Sequence, residues 1–338
     1  MTDQNNSTND VDDIDVTDAS DVAGVAEVDA TGETENVTKQ DVPYRSGFVA
    51  VVGRPNVGKS TLTNALVGEK IAIVSHKPQT TRNRICAILN RKDTQLVFID
   101  TPGFHRPRTK LGDYMVNVVK ESIVDVDAIL LIVEPIANVG EQELALIEQC
   151  RAAGAPTILV INKIDTVEKE ALLPVIAAYS AHMDFAAVIP ISAKWHDGLG
   201  TLLEECEKYA QPGPQLFPDD VVTDMPEKQV MAEIIREKLL WNLEKEIPHG
   251  TAVEITKFSE RDDGIIDIDA TIYCEKQSHK GIIIGKHGEM LKKISSAARA
   301  DCERFMGTKV YLQTWVRVKE HWRDSDYLIS NFGYSRDH

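Results

Sequence analysis

The stretch Phe48-Val49-Ala50-Val51-Val52-Gly53-Arg54-Pro55-Asn56-Val57-Gly58-Lys59-Ser60-Thr61-Leu62-Thr63 decides the fold of this chain. Its first five residues are apolar and predict a buried strand. Residues 61–67 predict a helix. Between them stands G-x-x-x-x-G-K-S, residues 53–60. A strand, a glycine loop and a helix in that order make a phosphate cradle. The glycines let backbone N–H groups turn inward, and the helix N-terminus and Lys59 supply positive charge. Ser60 is placed to ligate Mg²⁺. The cradle predicts a nucleoside triphosphate as ligand, with residues 53–61 around it.

Working outward, Asn162-Lys163-Ile164-Asp165 ends the apolar run of residues 156–161. In open α/β sheets that carboxyl edge is where ligands bind. Asp165 can accept two hydrogen bonds, from guanine N1–H and its exocyclic amine. Adenine offers no such donor pair and would leave the carboxylate unpaired, so the base is expected to be guanine. Asn162 is expected to tie this loop to the glycine loop, and the Lys163 stem to cover one face of the base. Asp100-Thr101-Pro102-Gly103 ends a second strand-like run, residues 95–99. Asp100 suits Mg²⁺ held through water, and the Gly103 N–H suits the γ-phosphate. Ser192-Ala193-Lys194 ends a third run, and the Ala193 N–H is placed to read guanine O6.

Residues 77–82, Lys77-Pro78-Gln79-Thr80-Thr81-Arg82, are polar and break apolar periodicity. A Thr here can complete the Mg²⁺ shell and order the loop when the γ-phosphate is present. We assign this to Thr81, with Thr80 as the alternative. Lys59, Thr81 and Gly103 are the expected catalytic contacts; Ser60, Thr81 and Asp100 the expected metal contacts. Many GTPases carry a water-orienting Gln after the D-x-x-G motif. Here Phe104 holds that place, lining the nucleotide but unable to orient water, and His105 follows. Slow intrinsic turnover is expected. Related GTPases lacking the Gln often use an Asn at the position of Asn56 to hold K⁺ beside the phosphates.

The chain has 338 residues and a net charge of −16. Its length suffices for two domains. Five cysteines without metal-type spacing read as reduced, buried thiols of a cytosolic protein. No apolar stretch is long enough to span a bilayer, and no signal peptide is evident. The charge is uneven. Residues 1–40 hold 11 Asp/Glu against Lys39, a balance of −10. Residues 1–43 are expected to be a disordered acidic extension, either solubilising or competing with RNA for basic surface.

Residues 44–210 alternate strand and helix, which predicts an α/β domain with a mostly parallel sheet wrapped by helices. Residues 90–93 read as a hairpin connection, so one strand is antiparallel. Residues 211–226, opening with Gln211-Pro212-Gly213-Pro214, read as an interdomain linker.

From residue 227 the pattern changes to α+β. Residues 227–246 read as an amphipathic helix; 251–258 and 265–274 as strands; then come a helix, the loop Gly285-Lys286-His287-Gly288, a helix to 306 and a strand over 309–318. A G-x-x-G loop between helices, in this order, predicts a KH-type fold that clamps single-stranded RNA. Residues 276–323 hold 11 Lys/Arg and four Asp/Glu, a phosphate footprint in an acidic chain. The expected RNA contacts are Lys280, Ile284, Gly285, Lys286, His287, Gly288, Lys292 and Lys293. Ile282, Ile283 and Ile284 form either a floor for bases or core. Trp315, Trp322 and Tyr327 are expected to pack, and residues 324–338 to form a C-terminal tail.

GRPNVGKST, QTTR, DTPG, NKID and SAK, followed by this KH order with GKHG, resemble the Era family of bacterial GTPases over residues 44–323. The resemblance implies a Ras-like GTPase domain plus a type II KH domain, with GTP, GDP and Mg²⁺ as ligands. It further implies binding near the 3′ end of 16S ribosomal RNA and a role in 30S subunit assembly. A monomer is expected, cytosolic, with peripheral association to the inner face of the membrane. Alternatives are a membrane-associated cell-cycle switch whose KH domain serves another partner, and an RNA-binding scaffold with nucleotide as a structural ligand.

Overall fold

The apolar run ahead of the glycine loop extends as β1 (Arg45–Gly53), the strand on which the larger sheet is built. The computed structural model describes residues 43–334. The acidic extension, read as residues 1–43, falls outside them apart from its last residue, as do residues 335–338. β3 (Thr94–Asp100) and β4 (Ala128–Val133) pair with β1 in parallel on either side. β5 (Thr157–Ile161) and β6 (Ala187–Pro190) continue the parallel order. β2 (Ile85–Arg91) runs antiparallel to β3 through the turn Lys92-Asp93. The order is β2-β3-β1-β4-β5-β6.

The period-2 alternation of β1 feeds two cores. Val49 and Val51 pack with Leu62 of α1 (Lys59–Val67) and Leu202 of α5 (Leu199–Glu207). Ala50 and Val52 face the opposite layer, with Val119 of α2 (Lys110–Ser122), Leu146 of α3 (Glu141–Ala153) and Val175 of α4 (Leu172–Ser180). A parallel sheet buried on both faces places its carboxyl edge, and the loops there, as the open rim.

Residues 211–226 are more than a tether. β7 (Gln211–Pro212) pairs antiparallel with the start of β1. Phe217 and Val221 pack on the outer face of β2 and β3. Fully buried Gln95 accepts the N–H groups of Leu216 and Phe217 at 2.8 and 2.9 Å. Two apolar residues in a Pro-rich run thus join strand pairing and the Gln95 bonds in docking it.

The second domain is built on α6 (Glu227–Asn242), β8 (Ala252–Glu260), β9 (Ile266–Cys274), α7 (Gln277–Ile284), α8 (Glu289–Met306) and β10 (Val310–Val318). α6 ends before the expected residue 246. Leu243 turns extended, and a 3-10 turn at Pro248–Gly250 redirects the chain. The sheet order is β10-β9-β8, with β10 parallel and β8 antiparallel to β9. Ile268, Ala270 and Ile272 alternate inward against Ile235, Ile283, Ile294 and Ala298 of the three helices.

The expected C-terminal tail is structural through residue 334. Trp322, Ile329 of α9 (Asp326–Asn331) and Tyr334 pack with Leu111 and Met115 of α2, and with Ala252 and Tyr273 of the second domain. All five cysteines are buried and form no disulfide. Among the described residues no helix is long and apolar enough to cross a membrane.

Candidate active site and nucleic-acid interface

At the carboxyl edge of the larger sheet, the loops after β1, β3, β5 and β6 converge on a cavity of about 500 Å³. Its wall includes Pro55, Asn56, Gly58, Lys59, Ser60, Thr61, Thr81, Gly103, Asn162, Lys163, Asp165, Ala193 and Lys194. Gly58 must lack a side chain: its φ is +103°, and a Cβ would stand 2.2 Å from Asn162 Nδ2.

Lys59 is 6 % exposed and donates to the Gly53 and Arg54 carbonyls at 3.0 Å each. Burial lowers its pKa to about 8, with the Asp100 charge opposing. Ser60 Oγ lies 2.8 Å from Thr81 Oγ1 and donates to Asp100 Oδ2 at 2.7 Å. The three expected metal contacts therefore meet. Burial raises Asp100 to about 6, against the pull of Lys59, Ser60 and Thr81. Asp100 Oδ1 is buried without a well-aligned donor among the described residues. One carboxylate with an unused oxygen and two hydroxyls suit a hard divalent ion that also keeps water and phosphate oxygens. The residues fit Mg²⁺.

Asn162 staples the loops together. Its Nδ2 donates to the Val57 carbonyl at 2.8 Å, and its Oδ1 accepts the Ala193 N–H at 3.0 Å. The Ala193 N–H is thus already engaged, where a free donor for guanine O6 was expected. Ser192 Oγ donates to Asp165 Oδ1 at 2.6 Å and fixes that carboxylate. Lys163, at φ +64°, bridges to the Asn56 carbonyl at 2.7 Å and to Glu134.

Several expected contacts have other duties. The Arg54 side chain pairs with Glu143 at 2.7 Å, away from the cavity, leaving only its backbone to the loop. Thr101 Oγ1 donates to the Val51 carbonyl at 2.8 Å and buttresses β1. Gly53, Val57, Pro102 and Ser192 stand behind the wall. Gly103 packs on Pro55, where a Cβ would come within 2.7 Å of Pro55 Cα. The Phe104 N–H donates to the Gly53 carbonyl at 3.1 Å, and its ring packs on the apolar layer under α3 instead of lining the cavity. His105 Nδ1 donates to the Gly103 carbonyl at 2.8 Å, and His105 also lies outside the wall.

Sequence reasoning missed that Ile73, Val74, Ser75 and His76 join Gln79 and Thr80 in lining the cavity. Asn56, itself at φ +65°, donates from Nδ2 to the His76 carbonyl at 2.9 Å. The signal was present: Asn56 is the one side-chain amide in the glycine loop, and a lone amide there needs a partner.

The second glycine loop lies at the surface. Gly285 has φ +74°, and a Cβ would meet Met290 Cβ at 2.7 Å; Gly288 has φ +80° and open space around it. Lys286, His287, Lys292 and Lys293 are exposed and Lys280 is half-buried. Gly288 caps α8, whose N-terminus faces the loop with its unpaired N–H groups. Of the isoleucine run, Ile283 is core, Ile284 is half-buried on that core, and Ile282 is 50 % exposed. Trp322 packs as expected, but Trp315 and Tyr327 are 43 % and 73 % exposed.

Residues 48–163 match the family model for a 50S ribosome-binding GTPase, and residues 246–323 match that for a KH domain. The chain is 55 % identical over 291 residues to GTPase Era of Ruminiclostridium cellulolyticum, covering 86 % of this chain and 98 % of the relative. It is 50 % identical over 295 residues to GTPase Era of Caldanaerobacter subterraneus, covering 87 % and 99 %. Among solved structures it resembles Era in complex with MgGDPNP and nucleotides 1506–1542 of 16S ribosomal RNA. The TM-score is 0.83 at 36 % identity, over 86 % of this chain and 99 % of that one. A point variant of Aquifex aeolicus Era bound to GDP·AlF4⁻ gives the same TM-score, identity and coverage.

Proposed function

The chain belongs to the Era family of GTPases, and from that premise we propose that it couples GTP hydrolysis to binding near the 3′ end of 16S ribosomal RNA during 30S subunit assembly. The observation that carries this reading is a single shared segment. Residues 73–81 contribute to the wall of the phosphate cavity, and the same segment is bonded to the second domain. Val74 N–H donates to Glu237 of α6 at 3.0 Å, and Lys77 Nζ donates to the carbonyls of Leu240 and Leu243. A change in this segment at the cavity is therefore felt at α6, one of the three helices packed on the sheet of the second domain.

In this reading, Lys59 and the N–H groups of the glycine loop hold the phosphates. Ser60, Thr81 and Asp100 hold Mg²⁺, which supplies charge neutralisation on the phosphate oxygens. Asp165, fixed by Ser192, selects guanine. Phe104 has no group to orient water, so intrinsic turnover is slow and a partner or another group speeds it. Asn56 beside the His76 carbonyl makes a K⁺ contact our reading of its role; equal turnover in Na⁺ and K⁺ buffers would sink that detail. Lys280, Lys286, His287, Lys292 and Lys293 meet RNA phosphates, with Ile282 and Ile284 against bases. A monomer acting in the cytosol, with peripheral contact to the membrane, completes the reading; sedimentation with pre-30S particles and with lipid vesicles tests those associations.

The test is binding of a single-stranded RNA from the 3′ end of 16S rRNA with a GTP analogue, with GDP and without nucleotide. Tighter binding with the analogue is expected. Binding indifferent to nucleotide would leave two independent modules and overturn the coupling.

A further inference from the structure

Thr81 is gripped from both sides by the second domain. On its N-terminal side, Arg236 of α6 donates to the Gln79 carbonyl at 3.3 Å and to the Thr80 carbonyl. Arg236 is fully buried, and Glu233 one turn earlier accepts its Nε at 2.8 Å. On the C-terminal side, Arg82 is 1 % exposed. It donates to the Thr251 carbonyl at 2.7 Å, the His249 carbonyl at 2.9 Å and Tyr334 Oη at 3.3 Å. Its guanidinium also lies 5.6 Å from the Trp322 ring and 5.7 Å from the Tyr334 ring. A buried guanidinium with this many fixed acceptors and ring faces is a rigid anchor.

What the anchors hold is a conformation that does not hold itself. Gln79 is a non-glycine residue at φ +58°, and its Oε1 is buried without a partner among the described residues. Such backbone is costly and persists only where its surroundings impose it. The segment has no regular secondary structure of its own between α1 and β2.

We propose that Arg236 and Arg82 are positioning residues for the GTPase site: through them the second domain and the C-terminal residues Trp322 and Tyr334 hold Thr81 against Ser60 and Asp100. This rests on the reading that Ser60, Thr81 and Asp100 bind Mg²⁺, and it adds where Thr81 gets its order. The RNA-binding domain is then part of the GTPase machinery rather than a passenger. Anything that displaces α6 releases Thr81, and anything that fixes Thr81 seats α6.

The test uses the full chain carrying Arg236→Lys, which keeps the charge but loses the fork onto two carbonyls, with Arg82→Lys as the second variant. Thr81→Ala is the control. Affinities for a GTP analogue and for GDP are measured across Mg²⁺ concentration, with emission of Trp241, taken as the difference from the same protein carrying Trp241→Phe, reporting whether the segment stays docked, since its Nε1 donates to the Val74 carbonyl at 2.8 Å. The expected result is about tenfold weaker analogue binding, a higher Mg²⁺ midpoint, GDP affinity within about twofold, and altered Trp241 emission. Equal losses for analogue and GDP would mean a merely structural role and overturn the proposal, as would no change in either. If Thr81→Ala itself leaves the Mg²⁺ midpoint unmoved, the metal reading has failed; if it raises the midpoint while both Arg variants do not, only the positioning inference has.

Discussion

The two glycine loops of this molecule are built for phosphate in opposite ways. Around Gly53–Gly58 the groups that face the cavity are enclosed. Lys59 and Asp100 are buried, and Asn162 ties three loops into one wall. Around Gly285–Gly288 the lysines stand in solvent and no neighbour fills the space beside Gly288. A buried site suits one compact polyanion of fixed shape, because each donor is desolvated beforehand and strong in a low dielectric. An open loop suits a long chain that enters and leaves sideways, with charges that act through a screened field. The first should fail sharply on single changes and the second gradually.

Lys59→Ala probes the sharp end and carries the largest expected effect. It removes the one buried ammonium of the cavity, and GTP turnover should fall on the order of 10²–10³-fold. Turnover and binding of a fluorescent GTP analogue check it. Retained turnover would remove the contrast at its root, whereas a parent protein without turnover would favour a scaffold that uses nucleotide structurally.

Protonation offers a second probe of the buried site. Burial puts Asp100 at about 6 and Lys59 at about 8 in the ligand-free protein. Metal and phosphate favour the carboxylate and the ammonium. Binding must therefore release a proton from Asp100 below pH ~6 and capture one at Lys59 above pH ~8. Affinity for Mg²⁺–GTP should plateau between those values and fall by up to about tenfold per unit on each side. Calorimetry in buffers of different ionisation heat checks the sign: net release in acid and net uptake in base. Proton exchange of one sign throughout would break the assignment.

What could be read from the sequence follows the same division. The buried site was legible because its chemistry sits in short contiguous motifs at strand ends, and the strand order alone brings Ser60 and Asp100 to one edge. The segment around Thr81 was recognised as polar and irregular, but its docking was not. The partners Arg236, Thr251 and Tyr334 lie more than 150 positions away along the chain, and no local periodicity encodes a carbonyl's choice of guanidinium. The exposed Trp315 was an avoidable error. Tyr311, Gln313, Trp315 and Arg317 alternate with Val310, Leu312, Thr314 and Val316, so period 2 places Trp315 opposite Val316, which is buried on the core side of β10. The C-terminal segment was misjudged because six helical residues carry too little pattern to reveal that Trp322 and Tyr334 close a core shared with α2.

The glycines of the open loop sharpen the comparison with a smaller effect. Gly288→Ala meets no neighbour, so its cost is the left-handed backbone alone, about 1–2 kcal/mol. RNA affinity should fall about five- to thirtyfold as the loop shifts, while GTP binding is unchanged. Gly285→Ala should cost more, because its Cβ would also collide with Met290. Equal costs at the two positions would mean that the loop tolerates rearrangement and that contact with Met290 does not set its shape.

The smallest expected effect separates the two loops most cleanly. Lys286→Ala removes one exposed charge, and each phosphate contact to single-stranded nucleic acid contributes about 0.7 to the slope of log affinity against log salt. The slope should therefore flatten by about that much, with affinity falling a few-fold at moderate salt and converging with the parent protein as salt rises. GTP affinity, held by buried groups, should respond far less to salt in either protein. An unchanged RNA slope would place Lys286 outside the phosphate path and shift the footprint toward Lys292 and Lys293 on the first turns of α8. A steep salt dependence of GTP binding would show that the cavity is more open to solvent than the burial of Lys59 implies, and the distinction between the loops would then be one of degree.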